Sequence, residues 1–128
     1  MGNTTDDTSN TTEPVAASQA VALLLCTDLM FGVQLQNMAK HSGLKPVTVR
    51  PGSPLPVGDI LVVDLGTRGD WESMVREASS RGMKVVAFGP HMDAESRTKA
   101  KVAGASRVLA NSNLARDLPI ILKEINHA

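Results

Sequence analysis

The sequence predicts an α/β domain: a five-stranded parallel sheet with helices on both faces. Three observations carry that expectation. The runs Val21–Cys26, Ile60–Val63 and Val85–Phe88 are bare and apolar, as in strands covered on both sides. Segments with apolar residues every three to four positions separate the strands. Strands joined through helices pair in parallel, by right-handed crossovers.

The elements follow in order. Residues 1–17 are rich in Thr, Asn, Ser and Asp, cannot bury apolar surface and are expected to be a disordered tail. Residues 18–128 form the domain. Val21–Cys26 is the first strand. Leu29–Ser42 is helical, with Phe31, Leu35 and Met38 on one side and Gly43 as a stop signal. Val47–Val49 is a short strand. Pro51-Gly52-Ser53-Pro54-Leu55-Pro56 then holds three prolines in six residues, which excludes a helix interior. Ile60–Val63 is the third strand and Trp71–Ser80 a helix with Trp71, Met74, Val75 and Ala78 inward. Val85–Phe88 is a strand stopped by Gly89-Pro90, and a helix capped near Asp93 runs to Ala103. Arg107–Ala110 is the last strand. Leu118–Ile125 is the last helix, with Pro119 expected in its first turn, where a missing N–H matters little.

Composition limits the function classes. With 128 residues and 42% hydrophobic content the chain holds one core, and with 2% aromatics that core is aliphatic. Thirteen basic and thirteen acidic residues cancel, so charge makes no case for nucleic acid or an anionic membrane. The first residues lack the basic and apolar regions of a secretory signal. A single cysteine excludes an internal disulfide and suits a reducing cytoplasm.

The topology gathers five strand ends: Cys26-Thr27-Asp28, Arg50, Asp64, Gly89-Pro90-His91 and Asn111. In open α/β sheets ligands and chemistry collect at such ends, and Asp28 and Asp64 flank the expected switch point, where they can face one cleft. Each residue also has a plain structural role open to it. Asp28 suits a helix cap and Asp64 a loop cap; Cys26 suits a small core residue, Arg50 a solvated charge and His91 a turn.

Four stretches carry a family resemblance. Val62-Val63-Asp64-Leu65 resembles the phosphoacceptor strand of response-regulator receiver domains, and Gly104-Ala105-Ser106-Arg107-Val108-Leu109 resembles the segment entering their fifth strand. Leu23-Leu24-Leu25 leading to Asp28, and Val85-Val86-Ala87-Phe88, stand at matching places. From Ala22 to Ile125 the chain resembles this CheY-like family, which implies a flavodoxin-like fold and a place in two-component signalling. It implies Asp64 as phosphoacceptor and Asp28 with Asp64 as Mg²⁺ ligands.

The departures from the family are specific. Its acidic metal-binding pair falls on Cys26 and Thr27, with Asp28 one residue late. Its switch hydroxyl falls on Gly89, its lysine on Asn111 and its aromatic switch on Val108. The Pro-rich segment stands where the family has its second helix. The resemblance therefore implies a degenerate, pseudo-receiver member, a non-enzymatic and phosphorylation-independent interaction module without a cofactor. Its partner, a signalling protein, is expected on the helix ending at Ala103, the last strand and the last helix, through Lys101, Arg107 and Arg116. The chain is expected to be a monomer or weak homodimer in the cytoplasm, with no nucleic acid and no membrane.

Two other functions compete. One is a working phosphoacceptor using Asp64 with a rearranged Mg²⁺ site. The other is a flavodoxin-like small-ligand binder or enzyme. Against the latter, Thr27-Asp28-Leu29-Met30 offers one hydroxyl and a repelling carboxylate to a phosphate, and no Gly-x-Gly-x-x-Gly occurs.

Overall fold

The computed structural model describes residues 19–89 and 94–126. The elements run β1 (Val21–Leu25), α1 (Leu29–His41), β2 (Lys45–Val49), β3 (Ile60–Asp64), α2 (Trp71–Ser80), β4 (Lys84–Gly89), α3 (Ala94–Ala103), β5 (Arg107–Ala110) and α4 (Asn111–Asn126). All strand pairs are parallel, in the order β2-β1-β3-β4-β5. That is the doubly wound, flavodoxin-like order, whose reversal point lies between β1 and β3.

The side-chain alternation of the strands feeds two cores. On one face Ala22, Leu24, Val62, Val86 and Phe88 pack with Leu35 and Ala39 of α1 and Leu114, Leu118, Ile121 and Leu122 of α4. On the other, Leu23, Leu25, Leu61, Val63 and Val85 pack with Met74, Val75 and Ala78 of α2 and Ala100 and Ala103 of α3. β1 is buried after its first residue, and β3 throughout. This double cover explains the unbroken apolar runs. Phe88, fully buried, meets the ring of Phe31 at 5.7 Å and 52°.

Local signals set the helix ends. Asp28 caps α1 by accepting the Phe31 N–H at 2.9 Å. Asp70 caps α2 through the Ser73 N–H at 3.0 Å. Gly43, at φ 88°, turns the chain after the α1 cap Ser42, in a region where a β-carbon is disfavoured.

Between Val49 and Ile60 the chain makes a turn at 51–53 and continues without helix or strand. Leu55 is buried in the core under α2, and Gly58 lies so close to Leu23 that a β-carbon would stand 2.7 Å from its Cγ. Arg81, at the end of α2, donates to the carbonyls of Leu55 (2.9 Å) and Pro56 (3.2 Å) while pairing with Glu77.

Two expectations need correction. β2 begins at Lys45, so Pro46 lies inside a strand. It can do so because β2 is at the sheet margin. Lys45 N–H donates to Ala20 at 2.8 Å, so by alternation residue 46 turns its backbone outward, where no ladder bond is lost. The last helix starts at Asn111, not near Leu118, and Pro119 stands in its interior. The proline removes the N–H that would bond the carbonyl of Ala115. Burial of Leu114, Leu118, Ile121 and Leu122 along one face outweighs that loss. The expected tail at 1–17, the turn residue His91 and the cap at Asp93 lie outside the described residues.

Candidate functional site at the strand ends

Asp64 closes β3 directly into a turn. Its carbonyl accepts the Thr67 N–H at 2.9 Å and its Oδ1 accepts the Gly66 N–H at 2.8 Å. Aspartate followed by glycine two residues on suits such a turn. Thr67 is buried and its hydroxyl lies 3.5 Å from the Leu25 carbonyl, so the turn lies against β1. β1 and β3 are paired up to Leu25 and Val63, which brings Cys26 beside Asp64. The Cys26 thiol donates to Asp64 Oδ2 at 3.4 Å and lies 3.5 Å from the Asp28 carbonyl. Asp64 is 7% exposed. Both oxygens are thus occupied by neighbours, and among the described residues no cation pairs with it.

Burial pushes the Cys26 thiol up to about 12, from a usual value of 9.0. The hydrogen bond to Asp64 and the charges of Asp64 and Asp28 act in the same direction, and the Asp28 backbone opposes them. A thiol held protonated is a poor nucleophile and a poor metal ligand.

The residues at the family's working positions differ in kind as well as in placement. Gly89, the last residue of β4, is buried and carries no hydroxyl. Val108 is a half-buried β5 residue packed against the core under α2 and α3. Asn111 opens α4, and its buried Oδ1 has no hydrogen-bond partner among the described residues. Magnesium takes near-octahedral oxygen donors and usually one or two carboxylates with water. Here Asp64 and Asp28 are the carboxylates that would hold it. Asp28 Oδ1 is bound to a helix N–H, Asp64 is enclosed, and a thiol stands between them. Among the described residues no group of three or more His, Cys, Asp or Glu is placed to hold a metal ion. The donor set fits Mg²⁺ poorly.

Asp28 and Asp64 do not share the open space at this end of the sheet. A cleft of about 590 Å³ lies between the head of α1, the end of β2 and the β3–α2 connection. Its lining includes Cys26, Thr27, Asp28 and Arg50, together with Gly32, Arg68 and Thr48, but not Asp64. Arg50 belongs to the strand ends that the topology gathers. Arg68, Gly32 and Thr48 were not legible as site residues; the weak signal was an Arg-Gly pair soon after the end of β3.

On the expected partner face, α3 buries only Ala100 and Ala103, and Val102 is 79% exposed. Lys101 and Arg107 are exposed and have no ion pair among the described residues. Arg116 is paired with Asp117 at 2.9 Å. Asp117 is held below the usual carboxylate range, first by that hydrogen bond and last by the charge of Arg107. Among the described residues no helix is long and apolar enough to cross a membrane.

Comparison with solved structures places this fold among receiver domains. The chain is similar to a beryllofluoride-activated DrrB receiver domain, with TM-score 0.73 at 14% identity, over 86% of this chain and 99% of that one. It is similar to the signal receiver domain of a DNA-binding response regulator from Colwellia psychrerythraea, with TM-score 0.71 at 15% identity, over 86% and 100%. A response regulator from Thermotoga maritima matches with TM-score 0.68 at 12% identity, over 86% and 99%. No protein-family model matches the chain, and no curated protein matches it. The structural likeness shows a receiver fold, with five parallel strands in the same arrangement.

Proposed function

We propose that this receiver-fold chain is a pseudo-receiver: a phosphorylation-independent interaction module of bacterial-type signal transduction, cytoplasmic and without catalytic turnover. The observation that carries the reading is the state of Asp64. Its carboxylate is 7% exposed, holds the Gly66 N–H and the Cys26 S–H, and has no paired cation among the described residues. Phosphoryl transfer to a carboxylate gathers negative charge that a metal and a cation must offset. Losing one preorganised partner of that kind costs about 3 kcal/mol, roughly a hundredfold in rate.

The partner surface in this reading is the exposed face of α3 with β5 and the start of α4. Lys101 and Arg107 are its cations without an ion pair among the described residues, and Arg116 is moderated by Asp117. The Pro-rich connection from Pro51 to Pro56 stands in for the family's second helix. It covers the sheet with Leu55 and is held by Arg81.

The test is an amide NMR titration with Mg²⁺ and beryllofluoride, repeated on Asp64→Asn. The expected result is no saturable shift in either protein. Saturable shifts at Asp28, Asp64 and Gly89 that vanish in Asp64→Asn would replace this reading with a working phosphoacceptor.

A further inference from the structure

We infer that the cleft between α1, β2 and the β3–α2 connection binds a phosphate-bearing small molecule of nucleotide size, with the phosphates held by Arg50 and Arg68. The inference is independent of Asp64, which does not line the cleft.

The first support is charge placement. Arg50 follows β2 and Arg68 follows β3, so two separate connections bring an arginine each to the lining of one cavity. Both residues are exposed, and among the described residues neither side chain has an ion pair or hydrogen bond. The planar fork of a guanidinium matches phosphate oxygens in pairs. Thr27 and Thr48 add hydroxyls on the same lining. Asp28 is the one acidic residue there; its Oδ1 is turned to the Phe31 N–H, and two arginines against one aspartate leave the lining at net +1. The segment Thr27–Met30 by itself repels phosphate. Arg50 and Arg68, distant in sequence, reverse that balance.

The second support is Gly32. Glycine is among the poorest helix formers, and Gly32 is the fourth residue of α1. Other glycines have a local reason. A β-carbon at Gly43, Gly58, Gly69 or Gly104 would come within 3.0 Å of a neighbour, and Gly52 and Gly82 have positive φ. Gly32 has neither: its φ is not positive, and nothing beyond the helix's own local backbone lies within 4 Å of where its β-carbon would be. It lines the cleft. The missing side chain leaves room that the protein itself does not fill.

The third support is the character of the walls. Leu29 is 85% and Val33 53% exposed, and both line the cavity beside Val49 and Pro51. An apolar wall next to paired cations suits a ligand with a phosphate at one end and a less polar body at the other. The volume lies in the range of small-molecule sites.

The experiment titrates the full chain, without divalent cations, with pyrophosphate, ADP and citrate, read by amide and arginine side-chain NMR. ADP is expected to saturate, shifting Leu29 to Val33 with Arg50 and Arg68, and to bind more tightly than pyrophosphate. Arg50→Gln and Arg68→Gln are each expected to weaken ADP about tenfold or more. Gly32→Leu is expected to abolish binding without lowering the unfolding temperature, and Asp64→Asn to bind ADP as the parent does. Absence of saturation by ADP at millimolar concentration would overturn the inference. So would citrate binding as tightly as ADP, pyrophosphate matching ADP, or unchanged affinity in both arginine variants.

Discussion

Replacing Gly32 by alanine should make this protein more stable, and replacing Gly104 by alanine should make it less so. In a helix interior glycine is about 0.8–1.0 kcal/mol less favourable than alanine. Gly32 is near the start of α1, so the gain should be somewhat smaller, about 0.5–1 kcal/mol. No steric term opposes it, because nothing beyond the helix's own local backbone lies within 4 Å of the added β-carbon. Gly104 is the opposite case. Its φ is 126°, and a β-carbon there would stand 2.4 Å from both Cβ and Oγ of Ser79. Backbone strain and overpacking together should cost about 2 kcal/mol or more. Urea unfolding, with equal slopes in parent and variants, measures both differences. The Gly32 variant should also melt about 2–4 °C higher. A neutral or destabilising Gly32→Ala would refute the reasoning, since it would mean that the space beside α1 is not open as described.

Two further outcomes follow from contacts at the strand ends and the Pro-rich connection. With its thiol at about 12, Cys26 should react with iodoacetamide at pH 8 about a thousandfold more slowly than an ordinary thiol. Its rate should still rise with pH beyond 10, and Asp64→Asn should move that profile to lower pH; a plateau near pH 9 would contradict the burial. The same shift sets a linkage. The thiol stays protonated in the fold while it ionises in the unfolded chain, so its contribution to stability is complete below pH 9.0 and is lost as pH rises toward about 12. Arg81→Ala should lower stability by about 1 kcal/mol and open the chain between Pro51 and Val57 to protease, because the carbonyls of Leu55 and Pro56 lose their donor. Unchanged cleavage there would show that Leu55 packing holds the connection without it.

The sheet was legible where burial on both faces erases alternation. Val21–Cys26, Ile60–Val63 and Val85–Phe88 stand out as apolar runs for that reason. β2 was half legible, because a marginal strand is only partly covered: Lys45 and Thr48 are exposed on opposite faces, and Pro46 reads as punctuation. The first turns of α4 were missed because Pro119 signals a helix start, while the packing of Leu114, one turn earlier on the same face, is a tertiary matter. At the site, the two carboxylates were legible from strand-end position alone. Their partners were not: the thiol that faces Asp64 is 38 residues away in sequence. The cleft was hidden for the same reason, since Arg50, Arg68 and Gly32 converge from three separate connections and helices.

The two margins of the sheet also bear on how copies of the chain can meet. On the outer side of β2, Pro46 has no N–H to offer, which leaves Thr48 as the outward donor of that strand, and Lys45 adds a charge at its start. β5, at the other margin, is four residues long and begins with the exposed Arg107. A short, charged or proline-bearing margin gives an incoming strand little to pair with. Edge-to-edge strand pairing between copies is therefore disfavoured at both margins.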